Sequence, residues 1–172
     1  QFLAKMSHEI RTPVNAILGM NEMILRESTQ EEVQEYAMDV KNSSAALLSI
    51  INDILDSSKI ESGMMEIVDV YYEMGSFLND LYNMISVRAK EKGLKLIFDI
   101  DPTIPAEYYG DDKRIRQVLL NILTNAVKYT KQGSVTLKLS CTLQGENAVL
   151  HYSVTDTGIG IKQEDIGKIY DA

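Results

Sequence analysis

Along the first sixty residues, apolar positions return at alternating intervals of three and four. Leu3, Met6, Ile10, Pro13, Ile17, Met20 and Ile24 trace one stripe. Val33, Ala37, Val40, Ser44, Leu47, Ile51, Ile54 and Ser58 trace a second. This alternation is the seam of a left-handed helical bundle. The polar run Glu27-Ser28-Thr29-Gln30 parts the two stripes, so two antiparallel helices are predicted. Val14, Leu18 and Leu25 on the first helix, with Leu48 and Leu55 on the second, widen each stripe beyond what one partner helix covers. The hairpin is therefore expected to dimerise into a four-helix bundle.

After Gly63 the heptads stop, which puts a domain boundary near 58 to 64. Met74, Phe77, Leu78, Leu81, Ile85 and Ala89 read as an amphipathic helix closed by Gly93. Leu94, Leu96, Phe98 and Ile100 then alternate as a strand, and Pro102 and Pro105 mark a loop. Asp111 or Asp112 can cap a helix beginning near Lys113, whose core stripe is Ile115, Val118, Leu119, Ile122, Leu123 and Ala126. Val135 to Cys141 and Ala148 to Val154 alternate on either side of Gln144-Gly145-Glu146-Asn147, the pattern of an antiparallel hairpin. The fold class is α+β and multidomain, with a hairpin over 1–60 and a mixed domain over 64–172.

With Leu3 at heptad position a, His8 falls at f, facing away from the seam. Glu9 adjoins it, Thr12 follows one turn on, and Lys5 and Arg11 flank it. Pro13 removes a backbone donor and opposes the carbonyl of Glu9, so the helix should kink or loosen there. The zinc pattern H-E-x-x-H fails, because Thr12 stands where the second histidine would be.

On the later helix Asn121, Asn125 and Lys128 share a face at i, i+4 and i+7. Carboxamide oxygens suit Mg²⁺ and a lysine suits phosphate, although such residues on a helix are most often simply solvated. Asp156 ends a strand and leads into Thr157-Gly158-Ile159-Gly160-Ile161, where two glycines permit turns close to a ligand. Neither the P-loop nor the G-x-G-x-x-G pattern is present.

Taken together these segments resemble one family. Phe2-Leu3-Ala4-Lys5-Met6-Ser7-His8-Glu9-Ile10-Arg11-Thr12-Pro13 is similar to the H box of sensor histidine kinases. Asn121 to Thr130 resembles their N box, and Asp156 to Gly160 their G1 box. The resemblance implies an ATP-dependent protein-histidine kinase with a Bergerat-type α/β sandwich for its ATP-binding domain. His8 would then be the phosphoacceptor, Glu9 its acidic neighbour, and Thr12 the position that aids a phosphatase reaction. It also implies Asn125 as Mg²⁺ ligand with Asn121 contributing, and Lys128 on phosphate. Tyr129 would lie near the base or ribose, Asp156 on the adenine amine, and Gly158 and Gly160 around the nucleotide. Relatives continue into an ATP lid and a second glycine box. The chain stops at Tyr170-Asp171-Ala172, so an incomplete domain is expected.

The implied partners are a second copy and the receiver domain of a response regulator, whose aspartate takes the phosphoryl group. One alternative is a non-catalytic dimeric docking scaffold. Another is an ATPase of the gyrase and chaperone class, which needs no histidine-bearing hairpin.

Composition narrows the rest. A net charge of −8 argues against nucleic acid, which is held by clustered Lys and Arg. No apolar run approaches the roughly 20 residues that span a bilayer, so direct membrane contact is not expected of these residues. A lone cysteine agrees with a reducing compartment, and the expected setting is cytoplasmic, either free or as the cytoplasmic part of a membrane-bound sensor. The single cysteine, Cys141, reads as a core residue and His151 as a strand-surface residue.

Overall fold

A computed structural model describes residues 2–145 and 147–167, with side chains from Ile10 onward. Contacts divide the chain into two compact units, Gln1–Glu66 and Ile67–Ala172.

The first unit is a hairpin of α1 (Phe2–Glu27) and α2 (Glu31–Glu61). Its helices run antiparallel. Arg11 donates to Asn52 Oδ1 at 2.9 Å, and Lys41 pairs with Glu22 at 3.5 Å. Nearer the turn, Asn21 Nδ2 donates to the Ala37 carbonyl at 2.5 Å. α1 stays helical through Pro13.

The seam between the two helices differs from the expected stripe on α1. Val14 and Asn21 are buried there and Leu18 and Leu25 half-buried, facing Ala37, Ser44 and Ile51 of α2. Ile17, Met20 and Ile24, expected in the seam, are 44%, 60% and 44% exposed. On α2, Val40, Leu47 and Ile54 are likewise uncovered. The reason is geometric. At 100° per residue the two α1 stripes point roughly 90° apart, and α2 covers only the one carrying Val14 and Asn21.

The second unit contains β1 (Val70–Glu73), α3 (Met74–Glu91), β2 (Lys95–Ile100), β3 (Glu107–Gly110), α4 (Asp112–Tyr129), β4 (Ser134–Gln144) and β5 (Asn147–Asp156). A 3₁₀ turn follows at Gln163–Asp165. The main sheet has the order β2-β4-β5. β2 lies parallel to β4 from Lys95↔Ser134 to Ile100↔Leu139, and β4 pairs antiparallel with β5 from Val135↔Asp156 to Gln144↔Asn147. β1 and β3 form a separate antiparallel pair, Val70↔Gly110 to Glu73↔Glu107.

Both helices meet the sheet through one core. Met74, Phe77, Leu81, Ile85 and Ala89 of α3 and Leu119, Leu123, Ala126 and Val127 of α4 pack with Val135, Leu137 and Leu139 of β4. Arg116 of α4 lies 4.7 Å over the Phe77 ring and pairs with Asp80 at 3.3 Å and Asp112 at 3.5 Å, tying α4 to α3. Asp111 caps α4, its Oδ1 accepting from Arg114 N–H at 3.0 Å. Its Oδ2 accepts from Val68 N–H at 3.0 Å, and these two donors hold its carboxyl below the usual carboxylate range. Burial pushes the Tyr108 and Tyr152 phenols up, so both stay neutral. Among the described residues no helix is long and apolar enough to cross a membrane.

Candidate nucleotide site

Three pieces of chain build the site. The first is the last two turns of α4, set by the capped N-terminus at Asp111 and by core burial of Leu119, Leu123 and Ala126. The second is the end of β5, where antiparallel pairing carries Asp156 opposite Val135. The third is the segment that follows Asp156.

That segment is pinned at three points. Thr157 N–H donates to the Ser134 carbonyl at 3.1 Å, and the Thr157 hydroxyl accepts from Ser134 N–H at 3.0 Å. Gly133 makes room for that hydroxyl, which would collide with any Cβ built on it. Gly158 N–H donates to Asp156 Oδ1 at 2.8 Å, closing an Asx turn. Ile159 N–H then reaches the Tyr129 carbonyl at 3.4 Å. Gly160 follows at φ +68°, a left-handed conformation that favours glycine.

Between α4 and this segment lies a cavity of about 690 Å³, within the 300–1,000 Å³ usual for small-molecule sites. Ile122, Ala126, Val154, Ile159 and Ile161 give it apolar walls. Asn125, Tyr129, Asp156, Gly160, Lys162 and Asp165 supply the polar atoms.

Four of the sequence-predicted residues thus meet at one cavity: Asn125, Tyr129, Asp156 and Gly160. Three do not line it. Asn121 stands exposed one turn up α4, and Lys128 places its ammonium 5.1 Å over the Tyr129 ring. Gly158 lies behind the wall, packed on the end of α4. Its backbone passes so close to the Tyr129 carbonyl that a Cβ would not fit there. Thr12 is exposed on α1, and the side chains of His8 and Glu9 lie outside the described residues.

Sequence reasoning missed Val154, Ile159, Ile161, Lys162 and Asp165 as lining residues, and read Ile122 only as core. A signal was available for Ile159 and Ile161, since each follows a glycine in a segment already suspected of touching ligand. Lys162 and Asp165 carried none. Cys141 is half-buried on β4 and His151 exposed on β5.

Two family models match the chain. Residues 1–63 match the His Kinase A (phospho-acceptor) domain, and residues 110–172 match the histidine kinase-, DNA gyrase B- and HSP90-like ATPase. The chain belongs to the sensor histidine kinases of two-component systems. The phosphoacceptor match thus precedes the ATPase match along the chain.

Hybrid signal transduction histidine kinase B of Dictyostelium discoideum is 36% identical over 170 residues, 98% of this chain and 9% of that protein. Aerobic respiration control sensor protein ArcB of Escherichia coli K12 is 37% identical over 171 residues, 98% of this chain and 21% of that protein. The chain thus spans less than a quarter of the length of these relatives. Among solved structures, full-length ShkA in complex with AMPPNP superposes with a TM-score of 0.78 at 32% identity. That match covers 99% of this chain and 36% of ShkA.

Proposed function

We propose that this chain is the catalytic portion of an ATP-dependent protein-histidine kinase that phosphorylates His8 and passes the phosphoryl group to an aspartate of a response-regulator receiver domain. Phosphoacceptor function is assigned to residues 1–60 and nucleotide function to 64–172, in a cytoplasmic setting where ATP is available. The observation that carries the reading is the convergence of Asn125, Tyr129 and Asp156, from two separate elements, on one ligand-sized cavity.

The residues fit MgATP. Asp156 Oδ1 is committed to Gly158 N–H, which leaves Oδ2 to accept from the exocyclic amine of adenine. The apolar walls from Ile122, Ala126, Val154 and Ile161 suit the faces of a purine. Tyr129 stands at the ribose or base edge. Asn125 offers one carboxamide oxygen, and Mg²⁺ bound to a nucleotide ordinarily takes only one or two protein ligands beside phosphate and water. When bound, Mg²⁺ neutralises charge on the phosphates. Asn121 and Lys128, on the exposed side of α4, are placed to meet phosphate oxygens that extend beyond the cavity. ShkA, crystallised with AMPPNP, supports a nucleotide in this position.

At His8 a neutral imidazole nitrogen is the nucleophile. A nitrogen–phosphorus bond forms as the γ-phosphate leaves ADP, and Glu9 takes the imidazole proton. Thr12, one turn along α1, orients a water for attack on the phosphoaspartate of the phosphorylated regulator, a separate phosphatase reaction that releases phosphate. The uncovered α1 and α2 stripes support a homodimer.

Labelled ATP added to the protein and to its His8→Gln variant tests the reading. Acid-labile label on the unaltered protein and none on the variant is the expected result. Equal labelling of both removes His8 as acceptor.

A further inference from the structure

The last four carbonyls of an α-helix have no partner within it. In α4 these belong to Ala126, Val127, Lys128 and Tyr129, and each is met from elsewhere. Thr130 closes on Ala126 with its N–H at 3.1 Å and its hydroxyl at 2.7 Å. Ile159 N–H takes Tyr129. The middle two converge on a single donor: Lys92 Nζ lies 2.9 Å from the Val127 carbonyl and 2.8 Å from that of Lys128.

Lys92 comes from a different part of the unit. It is the C-cap of α3, and Gly93 after it turns the chain at φ +67° into β2. The lysine side chain crosses from there to the end of α4. Its charge sits at the negative end of that helix dipole, and both of its hydrogen bonds are charge-assisted.

Lys92 does not line the cavity. The turn it holds does, because Asn125 and Tyr129 flank the two clamped carbonyls. The opposite wall depends on the same turn, since Ile159 hangs from the Tyr129 carbonyl.

We propose that Lys92 is a positioning residue for the nucleotide: its ammonium fixes the last turn of α4 and so sets the gap between Asn125 and Tyr129 on one wall and the Asp156–Ile161 segment on the other. This rests on the nucleotide reading of the cavity given above. An aliphatic side chain at 92 leaves two carbonyls to water, and the turn frays. A lysine that served stability alone would lower the melting midpoint and leave binding unchanged in the folded protein.

The affinity of the full chain for AMPPNP with excess Mg²⁺ is measured by displacement of a fluorescent ATP analogue, well below the melting midpoint of every variant. Lys92→Met is expected to bind on the order of tenfold more weakly. Lys92→Arg keeps charged donors on a long stem and is expected to stay within about threefold of the unaltered chain. A folded Lys92→Met with a lowered midpoint and unchanged affinity overturns the proposal. Should that variant not fold, Lys92→Gln is judged by the same criterion. Absence of binding by the unaltered chain removes the nucleotide reading and this proposal with it, an outcome distinct from failure at Lys92 alone.

Discussion

Gly158 lies hard against Tyr129: a Cβ built on it would come 2.6 Å from the Tyr129 carbonyl oxygen. It would also stand 2.7 Å from Asp156 Oδ1 and 3.0 Å from the Thr130 hydroxyl. The carbonyl cannot swing away without releasing Ile159 N–H. In Gly158→Ala the segment itself has to move, taking the Asp156 carboxylate with it. Nucleotide affinity is expected to fall by on the order of tenfold or more, read by calorimetric titration. Gly160→Ala is the comparison. It has open space around it but a left-handed backbone, so it is expected to cost ~1 kcal/mol of stability with a smaller loss of affinity. Unchanged affinity in Gly158→Ala would take this segment out of the site.

Asp111 makes the second unit sensitive to acid. Its folded carboxyl titrates below the unfolded one, because Val68 and Arg114 N–H groups bind its charged form. The stability it contributes is therefore present above about pH 4, the ordinary carboxylate value. It is lost as pH falls through the folded value. Asp111→Asn keeps the Oδ1 cap on α4 but turns an amide N–H₂ toward the Val68 donor. The variant is expected to have a lower urea midpoint at pH 7 and a smaller further drop on going to pH 3. Parallel pH dependences in the two proteins would contradict this account.

The exposed stripe on α1 and the hairpin seam respond differently to charge. Met20→Glu adds a carboxylate where the single hairpin buries nothing, so helicity should persist while the sedimenting species shifts from dimer to monomer. Val14→Glu places one inside the seam, where Val14 is 5% exposed. A buried, unpaired carboxylate is expensive. Loss of the hairpin's circular-dichroism signal at a much lower temperature is expected for that variant. If Met20→Glu sediments as the unaltered chain does, the stripe is not the dimer surface.

Much of the fold was legible because its elements obey one period at a time. α3 carries a clean stripe closed by Gly93, and β4 and β5 alternate around Gly145, whereas α4, opened by Asp111, buries Leu119, Leu123 and Ala126 of its expected stripe but leaves Val118 and Ile122 exposed. β1 and β3 were not legible. Each has four residues, and Tyr71, Tyr72, Tyr108 and Tyr109 pair across a long stretch of sequence, so no local period marks them. Which α1 stripe faces α2 within the hairpin was not legible for a related reason. A buried Asn21 bonded to the Ala37 carbonyl lies within it near the turn, and a hydrophobic pattern cannot register an amide whose burial is offset by a hydrogen bond. The site divided in the same way. Motif positions Asn125 and Asp156 face the cavity, whereas the inward position of Ile122 and the outward one of Lys128 depend on how α4 is rotated against the sheet.

β4 is bonded on both edges, but its two neighbours reach it by different routes. β5 returns through a tight turn at Gly145, whereas β2 lies upstream with all of residues 101–133, α4 included, between them. Closing that long excursion costs chain entropy before any contact repays it. During synthesis, β2 therefore leaves the ribosome with Leu96 and Phe98 lacking their neighbour until β4 has also emerged. The ligand cavity comes later still, once β5 and the segment after Asp156 have emerged to face α4, and a nascent chain halted before β4 offers chaperones an apolar edge in place of a binding pocket.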